Sequence, residues 1–146
     1  MKRYTLLIII SLVLLNCRST KINENCTIDL DFSDVIYEIE LPCFKKKSKE
    51  VEYHGGKQFT FKYNEGSVLF INNNTEEAPN VLSEYLSEKE YSSFVFNDSL
   101  NYEGKDASNN TFWKVLKKDG FLRGYLNVPE QYKKTFDKAV LSIHPK

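Results

Sequence analysis

From residue 26 to the C terminus, the apolar positions follow two periods. Residues 26–32 (CTIDLDF) alternate, with Ile28, Leu30 and Phe32 on one side. Residues 35–41 (VIYEIEL) align Val35, Tyr37, Ile39 and Leu41 in the same way. Period two is the signature of a half-buried strand, and Ser33-Asp34 supplies turn chemistry between the two. Residues 58–63 (QFTFKY) place Phe59, Phe61 and Tyr63 on one face, and Asn64-Glu65-Gly66 is a turn with a glycine free to take positive φ. Residues 67–72 (SVLFIN) are apolar on both faces, as a covered central strand would be. Residues 111–117 and 121–128 flank Lys118-Asp119-Gly120, a hairpin signal.

Two segments carry the helical period. From Pro129 to Ile143 the apolar residues are Tyr132, Phe136, Ala139, Val140 and Ile143, with Pro129 and Glu130 suited to the first turn and Pro145 to the stop. Residues 79–90 set Val81, Leu82, Tyr85 and Leu86 on one side, while Ser87 and Glu90 fit a capping box that would start a separate short helix. Residues 97–110 (NDSLNYEGKDASNN) read as a long polar surface loop. Hairpins dominate, so the expected fold is α+β: a mostly antiparallel sheet of about five or six strands covered by two helices, the C-terminal one at 129–143.

The N terminus has a different grammar. Lys2 and Arg3 precede Leu6–Leu15 (LLIIISLVLL), a run of ten residues broken only by Ser11. A spanning helix needs about 20 apolar residues, so the run suits the h-region of a secretory signal. It stops at Leu14-Leu15-Asn16-Cys17, and the polar stretch Arg18-Ser19-Thr20-Lys21 follows at once. These residues resemble the lipobox of bacterial lipoproteins, with Asn16 where that family usually has Gly, Ala or Ser. The resemblance implies that the signal is cut before Cys17, that Cys17 is acylated, and that the protein is held on a membrane of the cell envelope. An ordinary signal peptide with a chance Cys, or an uncleaved N-terminal anchor, is the alternative. The expected organisation is a signal peptide at 1–16, a lipidated tether at 17–25 and a single globular α+β domain at 26–146. Removing the signal leaves roughly 130 residues, enough to bury about two-thirds of the unfolded surface. The order of elements over 35–143 and the closing helix also resemble the PsbP-like α/β/α sandwich group, which implies a binding or assembly factor.

Composition narrows the function. Twenty basic residues balance 20 acidic ones, so the surplus that phosphate contacts require is missing and no nucleic-acid partner is expected. Ten Phe, nine Tyr and one Trp exclude a disordered tail. With two His and three Cys at no zinc-site spacing, no metal and no cofactor are expected. If Cys17 is the anchor, an exported chain is left with Cys26 and Cys43 as a disulfide pair. A hairpin centred between Asp34 and Val35 sets them directly opposite each other; two buried free thiols are the alternative.

The remaining chemistry is thin. His54-Gly55-Gly56 is similar to esterase oxyanion loops, but the chain has no G-x-S-x-G, and a turn is the simpler reading. His144 is expected to face solvent, and Glu84, Glu88 and Glu90 to line a solvated helix face. Lys45-Lys46-Lys47 with Lys49 suits a solvated loop or protected edge strand ahead of a lipid contact. Asp98-Ser99-Leu100 resembles an O-glycosylation signal of some bacterial envelope proteins. Trp113, with Phe112 and Tyr125, lines a pocket or fills the core, and Gly124 marks close packing or a bulge. Three functions fit: a non-catalytic, lipid-anchored binding or assembly module, with Tyr102 as the contact residue in the 97–110 loop; an inhibitor or immunity-type lipoprotein; and an enzyme of unrecognised type. The first is preferred because no catalytic constellation assembles. The lack of an acidic run after Cys17 points to a periplasm-facing location, with the outer membrane as the expected site.

Overall fold

The computed structural model describes residues 25–43, 46–53 (through their backbone), 56–75, 82, 97 and 99–146. The described residues form an α+β fold of two antiparallel sheets. Strands β1 (Asn25–Asp31) and β2 (Ile36–Pro42) form a hairpin, joined by the short β9 (His144–Pro145) into a three-stranded sheet. Strands β3 (Lys46–Tyr53), β4 (Lys57–Tyr63), β5 (Val68–Asn72), β6 (Leu100–Asp106), β7 (Thr111–Lys118) and β8 (Phe121–Pro129) form a six-stranded sheet in the order β3-β4-β5-β8-β7-β6. A 3-10 turn (Glu130–Tyr132) leads into helix α1 (Lys133–Leu141).

This corrects the expectation of one sheet of five or six strands. The alternation in 26–41 is genuine strand patterning, but that hairpin pairs with the C-terminal β9 instead of extending the larger sheet. Among the described residues α1 is the one α-helix. The helix expected over 79–90 lies outside the described residues apart from Leu82.

The small sheet and α1 cover one face of the large sheet. Leu30, Phe32, Ile39 and Leu41 meet Phe59, Phe61, Leu69, Ile71, Phe121 and Tyr125, and Phe136, Ala139 and Val140 of α1 close the same core. Phe32, Tyr37, Phe59 and Phe121 pack edge to face, with centroids 4.8 to 5.9 Å apart. The opposite face holds Phe70, Val115, Leu122 and Leu126 around Leu82, which is fully buried. β5 is therefore covered on both faces, which accounts for its unbroken apolar run.

Turns follow their residues. Asp119 (φ 54°) and Gly120 (φ 76°) both adopt positive φ, the pattern of a two-residue type I′ hairpin. Gly66 (φ 88°) closes the β4–β5 turn. Ser33-Asp34 forms the β1–β2 turn, which centres the hairpin between these two residues and not between Asp34 and Val35: the Phe32 N–H donates to the Val35 carbonyl at 3.1 Å, the Ser33 N–H donates to Asp31 Oδ1 at 2.8 Å, and Ser33 sits at φ 70°. Cys26 consequently pairs with Leu41, not with Cys43, and Val35 is left outside β2 and exposed. The two registers differ by two residues. Such a slip leaves every side chain on its face, so alternation alone cannot tell them apart.

Residues 97–110 are not a loop. Leu100–Asp106 is edge strand β6, and the loop shrinks to the turn at 107–110. The composition is polar because Asn101, Glu103 and Lys105 face away from the second core, while Leu100 and Tyr102 pack against it.

Candidate functional site

Chemistry-bearing side chains converge where α1 packs on β8 and its Lys133 and Asp137 reach Glu103 of β6 and Lys114 of β7. Pairing of Glu103 with Lys114 and of Lys114 with Tyr125 places these three side by side on the helix-covered face. Helical spacing then brings Lys133 and Asp137 over them. The Tyr125 hydroxyl donates to Asp137 Oδ1 at 3.0 Å, and Lys133 Nζ donates to Asp137 Oδ2 at 2.9 Å. Lys114 Nζ lies 3.1 Å from Glu103 and 3.4 Å from Asp137. Lys133 and Lys105 stand over the Phe112 ring at 5.9 and 5.4 Å. A bulge on β8 at Asn127 (φ 56°) re-aims the strand just beyond this cluster.

The electrostatics hold Tyr125, Asp137 and Lys133 in their ordinary charge states. Burial pushes the Tyr125 hydroxyl far up, reinforced by the Asp137 charge. Burial also works to raise the Asp137 carboxyl, but the hydrogen bonds from Lys133 and Tyr125 and the charges of Lys114 and Lys133 outweigh it and keep it below the usual carboxylate range. The hydrogen bond to Asp137 raises the Lys133 ammonium. A general base or nucleophile needs the opposite displacement, toward neutrality near its working pH.

A second feature lies on the same face of β8. Arg123 is 2% exposed, and its Nη2 lies 3.6 Å from Asp119 Oδ2. Its Nε and Nη1 have no hydrogen-bond partner among the described residues. Burial lowers its pKa, opposed by the Asp119 charge.

The residues singled out in the sequence are scattered. Cys17, His54, Lys45, Asp98, Glu84, Glu88 and Glu90 lie outside the described residues. Cys26 and Cys43 are joined by a disulfide, with Cα atoms 5.4 Å apart across the hairpin diagonal. Lys46, Lys47 and Lys49 fall on β3, an edge strand of the large sheet. Tyr102 is half-buried on β6 and packs against the second core, so it is not the exposed loop residue that was expected. Trp113 packs against the same core, and its indole covers Gly104 of the paired strand. Gly124 is a point of close approach: a Cβ there would strike the Lys114 carbonyl oxygen and lie 2.9 Å from Phe70 Cζ. His144 is exposed on β9, 2.7 Å from the Ser142 carbonyl and 3.6 Å from Glu38. Among the described residues no His, Cys, Asp and Glu cluster suits a metal ion, and no helix is long and apolar enough to cross a membrane.

The Asp137 network and Arg123 were missed. Two signals for them exist in the sequence: the i,i+4 spacing of Lys133 and Asp137, and a single cation inside the apolar run FLRGYL. The fold and cluster define an antiparallel α+β domain whose C-terminal helix is tied to the sheet by a charged network. No family model matches the chain, and no curated protein or solved structure matches it.

Proposed function

We propose that this protein is a lipoprotein of a bacterial cell envelope, held on the membrane through acylated Cys17, and that its domain is a non-catalytic binding or assembly module. The observation that carries the reading is the apolar run Leu6–Leu15 ending at Cys17, only a few residues before β1 begins at Asn25. Residues 18–24 are then left as a short tether, spanning at most about 23–25 Å if extended. The balanced network around Asp137 supports a platform role, since its charges are already partnered and neither Asp137 nor Lys133 is displaced toward acid–base work. The outer membrane, facing the periplasm, is the proposed location. A partner in the envelope is the proposed ligand, contacted near β6, where half-buried Tyr102 lies.

The test is Cys17→Ser. The variant is expected to lose fatty-acid labelling and to leave the membrane fraction; labelling at the wild-type level refutes the anchor. Tyr102→Ala is expected to weaken recovery of a co-purifying partner without unfolding the domain, and undiminished recovery removes Tyr102 from the contact. Turnover of a substrate by purified protein refutes the non-catalytic reading.

One observation favours a second reading, an inhibitor or immunity-type lipoprotein. The β1–β2 tip presents Val35 (44% exposed) and Ile36 (50% exposed) beside exposed Asp34. An apolar and acidic projection of this kind suits insertion into the cleft of a toxin or hydrolase.

A further inference from the structure

Arg123 is the one charged residue of β8. Phe121 and Tyr125 flank it on the same face, and Ile71 of β5 and Leu116 of β7 are its cross-strand neighbours. All four are buried. Arginine stays charged in proteins and carries five N–H donors in a planar fork. Among the described residues that fork meets one carboxylate, Asp119, at 3.6 Å, well beyond the roughly 2.7–2.9 Å of a charge-assisted hydrogen bond. Nε and Nη1 find no partner among the described residues. Asp119 itself is 69% exposed on the β7–β8 turn and also lies 3.9 Å from Lys118. A buried, under-satisfied guanidinium beside an exposed and loosely held counter-ion is an arrangement that a better-placed anion would improve.

We propose that Arg123 is the receptor for a carboxylate group of the ligand, and that Asp119 is the resident counter-ion which this group displaces. Nε and Nη2 lie side by side on one edge of a guanidinium, and a carboxylate matches that edge with two parallel hydrogen bonds. Nη1 is left for a second oxygen acceptor of the same ligand. The charge balance selects a carboxylate over a phosphate. Exchanging one single negative charge for another leaves the Arg123 pair neutral, whereas a phosphate dianion adds a surplus charge against apolar walls. The released Asp119 side chain turns into water, where its charge is solvated. The proposal rests on the reading of the domain as a binding module and names the class of ligand it takes.

The full chain, 15N-labelled and in detergent, tests it. Its three arginines are Arg3, Arg18 and Arg123, so the Arg123 Nε–H resonance is identified by its loss in Arg123→Lys. Sodium acetate, titrated at constant ionic strength against sodium chloride, is expected to shift that resonance saturably and to leave those of Arg3 and Arg18 in place. Asp119→Asn removes the competing carboxylate and is expected to bind acetate roughly tenfold tighter, equivalent to about 1.4 kcal/mol. A resonance that moves in neither protein, or equal acetate binding by both, overturns the proposal. A shift produced by inorganic phosphate at lower concentration than acetate overturns the carboxylate assignment. Fatty-acid labelling at Cys17 does not depend on Arg123, so failure here and failure of the anchored-module reading are separately visible.

Discussion

Replacing Gly104 with alanine adds one methyl group at a position where the structure has no room for it. Gly104 pairs with Trp113 across β6 and β7, and a Cβ there would lie 2.6 Å from Trp113 Cζ2, 2.7 Å from Cε2 and 2.8 Å from Nε1. Three ring atoms of a packed indole fall inside contact distance at once, so the whole ring must move. Trp113 packs against the buried Phe70, Val115, Leu122 and Leu126, and forced repacking of such a side chain costs about 1–3 kcal/mol. Against that, alanine in a strand interior recovers about 0.5–1 kcal/mol of the entropy glycine loses on folding. The net expectation is a destabilisation of about 1–2 kcal/mol, which for a domain of this size lowers Tm by roughly 4–8 °C. Trp113 is the single tryptophan of the chain, so its emission reports the displacement directly. Thermal unfolding followed by intrinsic fluorescence is expected to show the lower Tm, together with a red-shifted folded-state emission as the ring gains water. Gly66→Ala is the control: its φ of 88° strains any side chain, but no atom lies within 4 Å of the new Cβ, so stability falls while Trp113 emission stays put. A Gly104→Ala protein with wild-type Tm and unchanged emission would refute the covering role of the indole.

Asp137 is held below its usual pKa of 3.8 despite burial, so its contribution to stability is fully present above that value and disappears as pH falls through the lower folded one. Asp137→Asn is expected to cost about 1–2 kcal/mol in urea unfolding at pH 7, the difference shrinking as pH falls below 3.8; a difference that does not change with pH refutes the charge network as its origin. The Cys26–Cys43 bridge closes a separation of 17 residues, so Cys26→Ser with Cys43→Ser is expected to lower stability by about 3 kcal/mol in the chain-entropy model. Thiol titration of unreduced, denatured Cys17→Ser protein is expected to find no free thiol, and two titratable thiols would contradict the bridge.

The local pattern of this chain was enough to locate most of its strands. β1, β2, β4, β5, β7, β8 and α1 each carry their own period, and the Asp119-Gly120 turn its own backbone preference, because these depend on residues a few positions apart. β6 escaped because an edge strand with one solvated side reads as polar loop. The register of the β1–β2 hairpin escaped because a two-residue slip preserves which face every side chain takes. The division into two sheets depends on β9 pairing with β2, a contact between residues about a hundred positions apart that no local period encodes. The candidate sites belong to the same category. Glu103, Lys114, Tyr125 and Asp137 come from four separate elements, and Arg123 is unremarkable until the strands and helix around it exclude water. Burial and partnership are properties of packing, and only the tertiary structure decided them.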